Sequence, residues 1–176
     1  MSFLKSIIFI SLLFVINDGE QDDETILWES DKKLNWEDFK GEPQNQRAAA
    51  VTASGLTYRF STTKNNGEVI AIDYEVTSFF YPNISWYRPE VCDDIILGHE
   101  QLHFDITELY ARKFRKLLSE KKFTNDAKNE IKVIYQEINT ALNDFQNQYD
   151  KETNFSRNRE QQSLWSKNIE KALKAY

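Results

Sequence analysis

The sequence predicts an α+β fold in which an N-terminal antiparallel β-hairpin or small sheet packs on a helical C-terminal half. Two segments rich in β-branched and aromatic residues, 48–61 and 69–80, flank the turn sequence Lys64-Asn65-Asn66-Gly67. The C-terminal half shows instead the three- and four-residue spacing of apolar positions that is typical of amphipathic helices. We therefore expect a hairpin first, helices afterwards, and a histidine-bearing helix at their junction.

The second predicted strand has one apolar face and one mixed face. The mixed face carries Asp73 and Glu75, so the alternate positions are expected to face the core. These core-facing positions are Ile70, Ile72, Tyr74 and Val76.

Aromatic residues are dense on both sides of the hairpin. In the segment 27–41, Trp28, Trp36 and Phe39 are expected to pin the chain to the core. Residues 79–89 contain two prolines and are expected to form an irregular loop. We favour a core role for the aromatic residues of this loop, with the lining of a substrate cleft as the alternative.

Three amphipathic helices are predicted after this loop. The first begins at Asp93 or Asp94 and has the apolar stripe Ile95, Ile96, Leu102, Ile106, Leu109, Tyr110, Phe114 and Leu117. The second begins at Asn125 or Asp126 and has the apolar face Ile131, Ile134, Ile138, Leu142 and Phe145. A break is expected over 149–154, and 158–175 form the last helix, with Leu164, Trp165, Ile169 and Leu173 inward.

Composition narrows the class of protein. The 176 residues are 40% hydrophobic, which suits one domain over residues 20–176. The net charge is −6 and no predicted element carries a basic cluster with interleaved aromatic residues, so nucleic acid is not an expected partner. A single cysteine, Cys92, excludes an intrachain disulfide. The oligomeric state is not predicted.

The N-terminus resembles a secretory signal peptide over residues 1–19. Lys5 precedes an apolar run that ends at Ile16, and Asn17-Asp18-Gly19 follows. The run is shorter than the roughly 20 apolar residues of a membrane span, so no stable membrane insertion is expected after cleavage. The protein is therefore expected to be exported, to the periplasm or the extracellular space. A buried N-terminal helix or an uncleaved anchor is the alternative, since no A-x-A cleavage site is evident.

The only two histidines of the chain are spaced four apart in His99-Glu100-Gln101-Leu102-His103. Four residues of α-helix turn about 400° and rise about 6 Å, so both rings stand on one face. They fall within the apolar stripe, which places them against protein. This is the H-E-x-x-H pattern of zinc hydrolases, and it predicts that His99 and His103 bind Zn²⁺.

Glu100 is predicted as the catalytic general base, taking a proton from a zinc-activated water molecule. A catalytic zinc usually has three protein ligands, so a third donor must come from elsewhere in the chain. Cys92 is expected to be a small buried residue rather than that ligand. Asp105 is expected to orient a neighbouring segment, Glu108 to be solvated and Tyr149 to be packed.

Four motifs, taken in order, resemble one bacterial family. They are Trp36-Glu-Asp38-Phe39-Lys40-Gly41, Ala48-Ala-Ala-Val-Thr-Ala-Ser-Gly55, His99-Glu-Gln-Leu-His103-Phe-Asp105-Ile-Thr-Glu108 and Tyr149-Asp150-Lys-Glu152-Thr153. Their combination is similar to the domain-of-unknown-function family 922. The resemblance implies a secreted zinc-dependent protease with a zincin-like domain.

The resemblance also implies where the third ligand lies. In that family a histidine typically follows the last motif after one residue, whereas this chain has Phe155 there. Phenylalanine cannot coordinate zinc, so either a carboxylate completes the site or affinity and catalysis are lost. Glu152 is the predicted third metal ligand, and Asp150 is the weaker alternative.

Three functions remain open on this basis. The favoured one is a zinc metallopeptidase acting on a peptide or protein substrate. The alternative is a non-catalytic envelope binding protein that retains a degenerate zinc-site fold. The third is a structural zinc, or no zinc, and a structural zinc requires a fourth protein ligand that closes the site.

Overall fold

The computed structural model describes residues 24–44 and 47–176 and confirms the α+β class. Its strands are β1 (Ile26–Leu27), β2 (Ala50–Val51), β3 (Ser54–Asn65), β4 (Glu68–Phe80) and β5 (Trp86–Tyr87). Its helices are α1 (Asp94–Glu120), α2 (Ala127–Thr153) and α3 (Arg159–Lys174). The predicted signal peptide over 1–19 lies outside the described residues. Within the two described ranges, none of the helices has the length and apolar character that a membrane span requires.

The predicted hairpin consists of β3 and β4. The two strands pair antiparallel across Asn66-Gly67, whose φ angles of 50° and 83° are left-handed. Asn-Gly suits such a turn because glycine has no Cβ and asparagine tolerates positive φ. Strand β1 pairs with the other edge of β4, while β2 and β5 form a separate two-stranded sheet. The prediction of one continuous strand over 48–61 is therefore wrong at its N-terminal end.

The predicted core face of β4 is correct near the helices and wrong at the hairpin tip. Val76 is buried, and Ile72 and Tyr74 are partly buried against the same cluster. Ile70 is 62% exposed. Thr63 pairs with Ala71 and Lys64 with Val69, so Ile70 is the extra residue of a β-bulge in β4, and the alternation of faces is interrupted there.

Helix α1 begins as predicted and runs for 27 residues. The Asp93 side chain caps it by accepting hydrogen bonds from the backbone N–H groups of Ile95 and Ile96, both at 3.0 Å. Leu117, predicted inward, is 43% exposed, and Leu118 is buried in its place. Leu118 follows the fully buried Phe114 by four residues, which keeps it on the same helix face.

The break predicted over 149–154 is wrong, because α2 continues to Thr153. Tyr149 and Thr153 are fully buried, so tertiary packing extends the helix through a polar sequence. Asn154 ends the helix in the left-handed conformation, with φ of 49°. Helix α3 starts after Asn158 and buries Trp165 and Ile169 as predicted, whereas Leu164, also predicted inward, is 46% exposed.

Two apolar clusters hold α1 between the sheet and the other helices. The larger one joins β3 and β4 to all three helices through residues such as Ile106, Phe114, Ile131 and Trp165. The smaller one comprises Leu34, Phe39, Phe80 and Phe104, with Trp28, Trp36 and Tyr87 packed against it. It confirms that the aromatic residues of 27–41 pin this segment to the core. The helix face that carries the histidines is left to meet α2 and α3.

Candidate metal centre

Three side chains from α1 and α2 meet at one point. His99 and His103 stand one turn apart on α1, and Asp150 reaches them from the last turn of α2. Asp150 Oδ1 lies 3.0 Å from the Nε2 atom of each histidine, and the two Nε2 atoms are 3.2 Å apart. All three residues are buried. These residues form a group able to hold a metal ion.

The other ring nitrogen of each histidine faces a glutamine oxygen. Gln146 Oε1 of α2 contacts His103 Nδ1, and Gln162 Oε1 of α3 lies 3.0 Å from His99 Nδ1. The Gln146 amide nitrogen donates to the His103 backbone carbonyl at 3.1 Å, so its oxygen is the atom turned towards the ring. When the ring is neutral, an oxygen there accepts a hydrogen bond from Nδ1–H and leaves the lone pair on Nε2, the nitrogen that faces Asp150.

This arrangement places three electron-pair donors in contact. Two imidazole lone pairs and a carboxylate oxygen at 3.0–3.2 Å repel one another unless a proton or a metal cation lies between them. Three ligands at 2.0–2.1 Å from a tetrahedral zinc ion are about 3.3 Å apart, and on one face of an octahedral ion about 2.9 Å apart. The observed separations fall between these values. The spacing of the three donor atoms is therefore compatible with a bound metal ion.

The pKa values of His103 and Asp150 show the same preference for positive charge. Burial alone lowers the pKa of His103, but the hydrogen bond and charge of Asp150, with a further contribution from the charge of Glu100, raise it to about 9. Burial alone raises the pKa of Asp150, but hydrogen bonds from His103 and His99 and their charges hold it well below its usual range. The site stabilises a cation beside an ionised carboxylate.

Glu100 lies between the two histidines in sequence and is 5% exposed. Its backbone carbonyl accepts a hydrogen bond from the Thr52 hydroxyl at 3.2 Å, which ties this turn of α1 to the chain after β2. Its charge acts on the pKa of His103 and on that of Tyr149. The Glu100 carboxylate is therefore within electrostatic reach of both rings.

Glu152, the predicted third ligand, lies outside the group. It follows Asp150 by two residues, which is about 200° around a helix, so the two carboxylates point to different sides of α2. Glu152 is exposed and accepts hydrogen bonds from Trp165 Nε1 and Gln148 Nε2, both at 2.8 Å. The structure places Asp150, the weaker alternative, beside the histidines instead. Phe155 is 37% exposed in the turn after α2.

The remaining polar residues have structural contacts. Asp105 orients the N-terminal segment, as expected, by accepting hydrogen bonds from Trp28 Nε1 at 2.7 Å and Lys33 at 3.4 Å. Glu108 is 5% exposed rather than solvated, because Arg112, Arg115 and Ser78 donate to its carboxylate.

Tyr149 and Cys92 also have packing contacts. Tyr149 is fully buried and stacks on His99 with ring centroids 4.5 Å apart, which confirms the packed tyrosine. Cys92 is partly buried, with its Sγ 3.3 Å from the Ala49 carbonyl, and is not a member of the metal-binding group.

Helical periodicity marks some of the site residues that the sequence prediction did not include. Gln146 and Asp150 follow the predicted apolar face of α2 at four-residue intervals from Leu142. Polar residues inside an apolar stripe indicate a buried site. The predicted break at Tyr149 hid this pattern, because it excluded Asp150 from the helix. Gln162 carries the same signal, because it precedes the inward-facing Trp165 by three residues, but only the packing of α3 on α1 shows that it reaches His99.

The chain is similar to known proteins at the level of one family. Neither the curated proteins nor the solved structures include a significant match to it. The family model described as a bacterial protein of unknown function, DUF922, matches residues 24–157, which include His99, His103 and Asp150. The match covers most of the chain and agrees with the resemblance of its four motifs. The chain therefore belongs to the bacterial domain-of-unknown-function family 922.

Proposed function

We propose that this protein is a zinc-dependent hydrolase that cleaves peptide bonds. The observation that carries the proposal is the convergence of His99 Nε2, His103 Nε2 and Asp150 Oδ1 at 3.0–3.2 Å. Two histidines and one carboxylate are the ligand set of several zinc peptidases, and they leave a coordination position for water. The same set also suits iron(II). Zinc is favoured because Glu100, which is buried, follows the first histidine ligand in sequence. Zinc-dependent hydrolysis needs a general base of this kind, whereas iron(II) chemistry does not.

Different residues of the chain would bind the metal ion, orient its ligands and transfer the proton. Zinc, when bound, supplies a Lewis acid that lowers the pKa of water and polarises a carbonyl oxygen. His99, His103 and Asp150 hold that ion, and the two glutamine oxygens keep the imidazole rings in the tautomer that binds it. Glu100 takes the proton from the attacking water and passes it to the leaving amine. Tyr149 stays packed, because its hydroxyl already contacts Gln162 and the His99 carbonyl.

The test separates zinc binding from hydrolysis. Zinc-loaded wild type is incubated with a diverse peptide mixture, and cleavage is quantified by mass spectrometry beside Glu100→Gln. A matched control is Glu120→Gln, an exposed glutamate at the end of the same helix. Because a general base contributes about 10²–10⁴-fold, Glu100→Gln should lose at least that lower factor while retaining zinc. Equal cleavage by wild type and Glu100→Gln would exclude the assigned role.

A second candidate is a non-catalytic binding protein that keeps the zinc-site fold. Two observations favour it. Phe155 stands where the family resemblance implies a histidine, and His99, His103, Asp150 and Glu100 are all buried. This candidate predicts about one zinc per chain and no cleavage by the wild type under conditions in which a known zinc peptidase cleaves the same peptides.

We further propose that the protein is exported, on the basis of the charged and apolar N-terminus. Expression of the full chain in a bacterium, followed by cell fractionation and N-terminal sequencing, tests this. Export predicts recovery outside the cytoplasm with a new N-terminus shortly after Ile16. Recovery only in the cytoplasm with Lys5 still present would contradict it.

A further inference from the structure

Helix α3 contributes to the metal centre although it lies beyond the residues that the family model matches. The match ends at residue 157, whereas α3 begins at Arg159. From the first turn of α3, Gln162 places its Oε1 atom 3.0 Å from His99 Nδ1. Its amide nitrogen lies 2.6 Å from the Tyr149 hydroxyl. One α3 side chain therefore contacts both a predicted ligand and the aromatic ring that stacks on it.

The contacts of Gln162 leave the His99 ring little freedom. Tyr149 covers one face of the ring, with centroids 4.5 Å apart and the planes only 21° from parallel. The Tyr149 hydroxyl lies 3.3 Å from the His99 backbone carbonyl and is also fixed by the Gln162 amide. The Gln162 oxygen then accepts from Nδ1–H, and Nε2 is turned towards Asp150 at 3.0 Å.

The two histidines are held in the same way by different helices. Gln146 of α2 faces His103 Nδ1, and Gln162 of α3 faces His99 Nδ1. A metal-bound histidine usually donates its other N–H to an oxygen, which fixes the tautomer and the ring orientation. Without the second glutamine, His99 would keep its place on α1 but not its tautomer.

We infer that Gln162 is a positioning residue for zinc binding, and that α3 is therefore part of the functional unit of this protein. The inference rests on the proposed metal site. It does not depend on whether the protein hydrolyses peptides. Helix α3 thus has a role in ligand orientation in addition to the apolar packing of Trp165 and Ile169.

Zinc affinity of the full chain, measured by competition with a chromophoric chelator, tests the inference. Gln162→Met removes the accepting oxygen at similar side-chain size, and Gln162→Glu restores an accepting oxygen. Gln161→Met is the matched control, because Gln161 is the same residue type one position earlier on α3. Loss of such an orienting partner typically costs 10–100-fold in metal affinity.

We expect Gln162→Met to weaken zinc binding by about 10–100-fold, and Gln162→Glu and Gln161→Met to bind close to wild type. Gln162→Asn, which keeps the amide but is one methylene shorter, should also bind more weakly and supplies the same test if Gln162→Met does not fold. Equal affinity of Gln162→Met and wild type would overturn the inference and leave the zinc site intact. Weakening of Gln162→Glu to the level of Gln162→Met would show a merely structural role and also overturn it. A wild type that binds no zinc would overturn both the inference and the proposed function.

Discussion

Replacing Asp150 should remove most of the zinc affinity, whereas replacing Glu152 should leave it unchanged. The two carboxylates belong to the same turn of α2, but Asp150 Oδ1 lies 3.0 Å from both imidazole Nε2 atoms. Glu152 is hydrogen-bonded to Trp165 and Gln148 on another side of the helix. Asp150→Ala and Glu152→Ala therefore form a matched pair that differs mainly in access to the metal.

The size of the effect follows from the ligand count. Four-ligand structural zinc sites bind with about 10–16 kcal/mol, or about 2.5–4 kcal/mol for each ligand. Because 1.4 kcal/mol corresponds to a factor of ten, loss of one ligand should weaken binding by about 10²–10³-fold. Glu152→Ala should lose only its surface hydrogen bonds and keep the wild-type affinity.

Competition with a chromophoric chelator at neutral pH measures both affinities, and circular dichroism checks that each metal-free variant is folded. If Asp150→Ala bound zinc as tightly as the wild type, Asp150 would not be a ligand. A larger loss of affinity in Glu152→Ala would instead identify Glu152 as the third ligand.

Three further predictions concern stability. Phe114→Ala should lower the free energy of unfolding by about 3–5 kcal/mol in thermal denaturation, because Phe114 is fully buried. Leu117 is exposed, so Leu117→Ala should change the free energy of unfolding little, and similar losses in the two variants would contradict the packing of α1. Glu108→Gln should destabilise the protein at pH 7, because burial raises the pKa of Glu108 but the Arg115, Ser78 and Arg112 contacts lower it further, to a net depressed value. This contribution is present above the unfolded pKa near 4.5 and is lost as the pH falls through the folded pKa, so the difference between Glu108→Gln and wild type should shrink in acid; a difference that grows in acid would contradict it. Trp28→Phe should cost about 1.5–3 kcal/mol in the same denaturation assay, because it removes the hydrogen bond from the indole N–H to the Asp105 carboxylate. An unchanged stability would contradict that contact.

Local pattern was enough to predict the architecture. The Asn66-Gly67 turn, the alternation along β4 and the apolar stripes of the helices are short-range signals, and each forms in the structure. The errors at Ile70, Leu117 and Leu164 have a different origin. Each is an apolar residue at an edge of its stripe or at a β-bulge, where only the placement of neighbouring elements decides exposure.

The sequence predicted the residues that α1 contributes to the candidate site, but not the donor that α2 contributes. The four-residue spacing placed His99, Glu100 and His103 on a single turn, since helix geometry alone relates them. The third donor comes from α2, and its choice between Asp150 and Glu152 depends on where that helix ends and how it rotates against α1. Burial of Tyr149 and Thr153 fixes both the end of α2 and its rotation against α1. This is a tertiary effect, and the polar local sequence gives no sign of it.

Anomalous diffraction at the zinc edge from crystals of the zinc-loaded protein would show which residues bind the ion. We expect one zinc ion per chain at about 2.0–2.1 Å from His99 Nε2, His103 Nε2 and an Asp150 carboxylate oxygen, with Glu100 close by but not coordinated. A zinc ion bound without Asp150, or no zinc at the two histidines, would contradict this ligand set.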